Sequence, residues 1–151
     1  MKTIITSLKE KINKYIKNKL DISDLIKDVD IRGADLSGAI IKDFNIINGD
    51  ISRCNLSNSI IGEDNKITIL TGTNMSNCNF KDAVFKGEII MKKVDAKNCN
   101  FDEAFLPFIH YEHADLRGCS FCGTVWRLGS NVGHSAKINK ELLNKWGLII
   151  E

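Results

Sequence analysis

The sequence predicts an all-β solenoid with a short helical segment at each end, and three observations carry that prediction. A five-residue text recurs between residues 24 and 128. An apolar or aromatic residue stands at the third place of all 20 copies, against 43% hydrophobic residues in the whole chain. On both flanks the apolar spacing changes to the three-to-four-residue interval of helices. Residues 1–23 are therefore read as an N-terminal helical cap, 24–128 as the repeat body and 129–151 as a C-terminal helical cap.

The first element follows from Ser7-Leu8-Lys9-Glu10, a capping box that opens a helix running to about Leu20. Leu8, Ile12, Tyr15, Ile16 and Leu20 fall on one face of it. Six lysines against Glu10 give residues 1–20 a net charge of +5. A basic amphipathic helix can lie on an anionic membrane, but a solenoid must cover the open end of its core. Capping the first coil is the role preferred here.

The repeat body is read in three runs. Units begin at 24, 29, 34, 39, 44, 49, 54 and 59; residues 64–67 are an insertion; units resume at 68, 73, 78, 83 and 88. Lys93 is read as one extra residue, and the last run begins at 94, 99, 104, 109, 114, 119 and 124. Beyond it, Ala136–Trp146 reads as a short helix with Leu142, Leu143 and Trp146 apolar, stopped by Gly147. The tail Leu148-Ile149-Ile150 is expected on the last coil or on a second chain.

Copies such as Ala34-Asp35-Leu36-Ser37-Gly38, Cys54-Asn55-Leu56-Ser57-Asn58, Cys78-Asn79-Phe80-Lys81-Asp82 and Ala114-Asp115-Leu116-Arg117-Gly118 share one plan. A small residue is followed by Asp or Asn, a large apolar residue and two mostly polar ones. This plan resembles the pentapeptide-repeat family. The resemblance implies a right-handed quadrilateral β-helix with four units per coil, hence about five coils. Stacked in that register, the inward central residues form four columns. They are Leu36, Leu56, Phe80, Phe101, Phe121; Ile41, Ile61, Phe85, Leu106, Trp126; Ile31, Ile51, Met75, Ala96, Leu116; and Ile26, Ile46, Leu70, Ile90, Tyr111. At the ~4.8 Å spacing of neighbouring strands the columns are about 20–25 Å tall.

Cys54, Cys78, Cys99 and Cys119 fall in one column, at the small inward position held by Ala34 in the first coil. Free cysteine behaves as a small buried hydrophobe, and a single-file ladder cannot converge tetrahedrally on one ion. The ladder is therefore read as structural rather than as a zinc site. Cys122 points outward, so Cys119 and Cys122 make no working dithiol. The odd cysteine count and a charged N-terminus without a signal-peptide core point to a cytoplasmic protein with reduced thiols.

Outward residues decide what the rod meets. One column reads Asp30, Asp50, Asn74, Asp95, Asp115; the next Asp35, Asn55, Asn79, Asn100, Ser120. A third is the apolar ladder Ile40, Ile60, Val84, Phe105, Val125, and the fourth holds Leu25, Asn45, Ile69, Ile89 and His110. An exposed apolar ladder marks a contact with another protein or with a second copy. Homodimerisation is expected through that face or through the C-terminal end.

No catalytic, cofactor-binding or metal-binding residues are assigned. His110, His113 and His134 lack partners at acid–base or metal spacing, and a filled core offers no natural cavity. The net charge of +2, with 26% charged residues, excludes a disordered acidic tail and nucleic-acid binding by bulk charge. Nucleic acid, membrane and small-molecule substrate are accordingly not expected as partners. The resemblance also implies a second function, imitation of B-form DNA to bind type II topoisomerases and protect them from quinolones. Asp30, Asp50, Asp95 and Asp115 motivate it. Against it, residues 21–130 carry a net charge of only −4.

Overall fold

A chain turns a square corner most cheaply through a residue in the left-handed region, and the fifth place of the repeat supplies it. Nearly every fifth residue from Asp28 to Gly123 has positive φ, including Asn48, Asn58, Asn77, Asp82, Asn98 and His113 at 53–60°. Asn and Asp tolerate this conformation better than other side chains. Their neighbours at the second place stabilise the same corners. Except at Asn45, each Asp or Asn there accepts the N–H of the residue two ahead, as in Ser52→Asp50 at 2.8 Å and Asp102→Asn100 at 2.8 Å.

The computed structural model of the protein describes residues 2–3 and 6–126. In chain order the elements are β1 (Lys2–Thr3), α1 (Thr6–Lys17), α2 (Ser23–Ile26), β2 (Val29–Asp30), β3 (Ile40–Ile41), β4 (Ile60–Ile61) and β5 (Ile67–Ile69). β6 (Val84–Phe85), β7 (Glu88–Ile90), β8 (Phe105–Leu106), β9 (Ile109–His110) and β10 (Val125–Trp126) follow. All pairings are parallel: β1–β2, β3–β4–β6–β8–β10 and β5–β7–β9. Single bridges carry two further ladders, Asp50–Asn74–Asp95–Asp115 and Asp35–Asn55–Asn79–Asn100–Ser120. Four ladders thus run along one stack, the architecture of a β-helix solenoid.

The inward columns make one continuous core. Phe80, Phe101 and Phe121 stack face to face, with centroids 5.1 and 5.2 Å apart and planes within 5° and 4° of parallel. Phe85 leans against Phe80 at 48°. Cys54, Cys78, Cys99 and Cys119 are buried, and Cys122 is exposed. Each buried thiol donates to a carbonyl of the coil before it, those of Ile31, Ile51, Met75 and Ala96, at 2.8–3.0 Å. A neighbouring thiol on the ladder, together with burial, pushes the Cys54 and Cys99 thiols above the ordinary range.

The structure departs from the sequence reading in four places. The single extra residue is Glu88, not Lys93. Thr68 pairs with Ile89, and Ile69 with Ile90, which in turn pairs with His110. Met91 is therefore the inward residue of that column, Ile90 faces outward in place of Ile89, and Lys93 is an ordinary left-handed corner with φ 56°. The unit at 24–28 is not extended: it contains the helical turn α2, although Ile26 still points inward at 8% exposure. In the unit at 44–48 Phe44 is buried, whereas Ile46 is only partly so. Finally, α1 begins at Thr6, which places Ser7 inside the first turn rather than at the cap.

Ile12 of α1 is buried, and Leu8, Tyr15 and Ile16 pack against the core, but Leu20 is half exposed. The helix ends because Lys19 takes φ 56°; the N–H groups of Lys19 and Leu20 donate to the Ile16 and Tyr15 carbonyls. β1, which pairs with β2 ahead of α1, had no counterpart in the sequence reading. The helix expected at 136–146 and the tail 148–150 lie outside the described residues.

Candidate functional site

The five-strand sheet places the second-place residues Ile40, Ile60, Val84, Phe105 and Val125 in one outward ladder, directly paired rung to rung. β-Branched and aromatic side chains suit such a pleated surface, and their inward neighbours Ile41, Ile61, Phe85 and Leu106 are fully buried. Exposure rises along the ladder. Ile40 and Ile60 are half buried, while Val84, Phe105 and Val125 are 37%, 38% and 54% exposed.

One edge of this face opens into a groove of about 520 Å³, lined by Ile67, Val84, Phe105, Pro107 and Phe108 among others. Unequal insertions build it. The corner after β4 carries four extra residues, 64–67; the corner after β6 carries only Glu88; and the corner after β8 carries none. The longest loop therefore overhangs the shorter corners. It folds back on Lys66 N–H→Glu63 carbonyl at 3.2 Å and a Lys66–Glu63 ion pair at 2.7 Å. Gly87 is required beneath it: at φ 75° an added Cβ would strike the Glu63 and Lys66 carbonyl oxygens. Ile67 and Phe108, 49% and 42% exposed, extend the apolar surface around the corner. No single repeat unit announces this groove; its signal in the sequence is the difference in insertion length between successive corners.

The acidic column is a ladder from Asp50 to Asp115, with Asp30 on the coil before it, but its carboxylates are engaged. Arg32 Nη2 and Arg117 Nη2 pair with Asp30 and Asp115 at 2.6 and 2.7 Å, and Lys97 Nζ with Asp95 at 3.1 Å. Hydrogen bonds from the Arg32 side chain and N–H hold Asp30 down to about 2. At Asp50 partial burial works upward, but it is outweighed by hydrogen bonds from Ser52 and Asn74 and by the Arg32 charge, leaving the carboxyl below its ordinary range. The stripe consequently presents little uncompensated charge.

The fourth column combines Ile69, Ile90 and His110, whose Nε2 lies 2.9 Å from Glu88 Oε1. Among the described residues no group of three or more His, Cys, Asp or Glu side chains could hold a metal ion. No described helix is long and apolar enough to cross a membrane.

The fold and its ladders define a repeat protein of the β-helix solenoid class. The family model for pentapeptide repeats matches with 8 copies, with residues 68–87 aligned, and the chain belongs to the pentapeptide-repeat family. No curated protein matches the chain. Among solved structures it is similar to a pentapeptide repeat protein, Rfr23, of the cyanobacterium Cyanothece 51142. The two share 24% identity over 63% of this chain and 62% of that one, with a TM-score of 0.39. A pentapeptide repeat protein of the Arabidopsis thaliana thylakoid lumen is 19% identical, covering 77% of this chain and 72% of that one at a TM-score of 0.41. QnrB1, a plasmid-mediated fluoroquinolone resistance protein, is 14% identical over 82% and 86% of the two chains, with a TM-score of 0.26.

Proposed function

We propose that this protein is a non-enzymatic scaffold that binds another protein, or a second copy of itself, through the outward apolar ladder. In this reading the repeat body 24–128 winds a right-handed quadrilateral rod of about five coils, closed by α1 at its N-terminal end. The rod works in the cytoplasm with reduced thiols. The observation that carries the reading is the unbroken row Ile40–Ile60–Val84–Phe105–Val125, continuous with the groove beside Phe108. A row of large apolar side chains facing solvent favours association. Phe105→Asp and Ile60→Asp are expected to keep the circular dichroism spectrum of the wild type while abolishing association seen by light scattering or capture of a partner from the native cell. A wild type that stays monomeric and captures nothing, with variants that merely unfold, would make the ladder structural and end the reading.

A second reading, a DNA mimic acting on a type II topoisomerase, is favoured by one feature, the column of carboxylates Asp30, Asp50, Asp95 and Asp115. Their pairing with Arg32, Lys97 and Arg117 weakens it. Micromolar protein without effect on gyrase supercoiling removes it.

A further inference from the structure

The ladder is broken on one side of the stack, between the first and second coils. In a regular rung such as Asn55, the N–H donates to the Ala34 carbonyl of the coil before at 2.9 Å, and the carbonyl accepts the Leu36 N–H at 2.8 Å. At Asn45 neither bond exists. α2 turns the N–H groups of Ile26 and Lys27 back on the Ile22 and Ser23 carbonyls, at 3.3 and 3.2 Å. The backbone N–H and C=O of Asn45 are left without partners among the described residues, and those of Asp50 on the adjoining face are in the same condition.

Between residues 24–31 and 43–51 the split leaves a cleft of about 460 Å³, within the range of ~300–1,000 Å³ typical of ligand pockets. Ile26, Ile31, Phe44 and Ile51, all buried core residues, form its apolar part. Its polar lining is lopsided: Asp24, Asp28, Asp43 and Asp50 stand against one base, Lys27. Open backbone donors and acceptors, an apolar floor and an acidic rim are the complement of an extended strand with alternating apolar and basic side chains. In a strand, successive side chains point to opposite sides, and added strands are held by main-chain hydrogen bonds.

We propose that this cleft binds an extended peptide segment of another protein, carrying alternate apolar and basic side chains, in the place of the rung that α2 leaves out. Main-chain pairing to Asn45 holds the segment as far as the corner at Asn48, beyond which its end meets the open backbone of Asp50; its apolar side chains enter the floor, and its cations meet Asp24, Asp28 and Asp43.

The test uses the full chain, isotope-labelled, and a four-residue acetylated and amidated peptide alternating isoleucine and lysine. Saturable shifts are expected at the amides of Asn45, Ile47 and Asp50. A counterpart with glutamate for lysine should bind at least about tenfold more weakly, as expected for opposite charge at an acidic rim. A counterpart N-methylated at alternate amides should lose binding. Asp24→Asn combined with Asp28→Asn changes side chains that make no hydrogen bond or ion pair among the described residues; it should weaken the lysine peptide about threefold or more at an unchanged melting temperature. Equal affinity for the lysine and glutamate peptides, undiminished binding of the N-methylated one, or shifts confined to residues outside 43–51 would each overturn the proposal. Absence of binding at millimolar peptide would do so as well.

Discussion

Phe101→Ala removes the middle ring of the aromatic stack, and the structure says why the loss cannot be absorbed. Phe101 is fully buried between Phe80 and Phe121, at centroid distances of 5.1 and 5.2 Å. The coils on either side are held apart by their own backbone bonds. Phe80 N–H→Asn100 carbonyl measures 2.7 Å, Phe101 N–H→Ser120 carbonyl 2.8 Å, and Ser120 N–H→Cys99 carbonyl 3.0 Å. Collapse of the neighbouring rings into the gap would break these bonds, so most of the cavity persists. Phe→Ala in a core costs about 3–5 kcal/mol, and two lost ring contacts of roughly 0.5–1.5 kcal/mol each place this site in the upper half of that range. Against a typical total of about 5–15 kcal/mol, the variant should lose roughly a quarter or more of its stability. Its melting temperature should fall by roughly 8–20 °C at ~2–4 °C per kcal/mol. Urea titration followed by far-ultraviolet circular dichroism measures it. Phe101→Leu, which keeps most of the volume, should lose less than about 1.5 kcal/mol. If alanine and leucine cost the same, or alanine costs less than about 1.5 kcal/mol, the coils are not rigid spacers and the reasoning fails.

Three further outcomes are expected. Gly87→Ala should destabilise by more than the ~1–2 kcal/mol of a left-handed alanine, because its Cβ meets two carbonyl oxygens of the 63–66 loop; cleavage in that loop under limited proteolysis should accelerate. The carboxyls of Asp30, Asp35 and Asp50 all sit below their ordinary values. A lowered folded pKa adds stability above the unfolded value of about 3.9, and that stability is lost as pH falls towards the folded value. Melting temperature should therefore be insensitive to these groups above about pH 5 and drop between about pH 4 and 2, with Asp30→Asn flattening part of the drop. Thiol titration of the native protein should find Cys122 alone reactive, and all five cysteines after denaturation.

Much of this architecture is legible in the text because each unit repeats the same physical solution. Asp and Asn at the second place brace the corner, a small residue such as Cys78 or Ala83 fits inside it, and a large apolar residue fills the centre. Register failed where that redundancy failed. Ile89-Ile90-Met91 offers three apolar residues in a row, so a frame beginning at Glu88 and one beginning at Ile89 both place a large apolar residue in the centre. Only the left-handed corner at Lys93 separates them, and lysine does not advertise that conformation. Asp24-Leu25-Ile26 likewise matches the unit, but Leu25 and Ile26 N–H groups both reach the Ile22 carbonyl and close a helical turn instead. The groove beside Phe108 and the cleft above Phe44 depend on how neighbouring coils differ in length or path, a comparison that no single unit contains.

The corners at Asn98 and Gly118 are the same corner one coil apart, both left-handed with φ of 59° and 76°, and the thiols of Cys99 and Cys119 follow them in equivalent places. Residues 99–118 are therefore a removable module. Joining Asn98 to Cys119 would splice two matching conformations and shorten every face by one rung of about 4.8 Å without rotating any face out of line. Length in this protein comes in steps, and the apolar ladder is a ruler whose smallest division is twenty residues of chain.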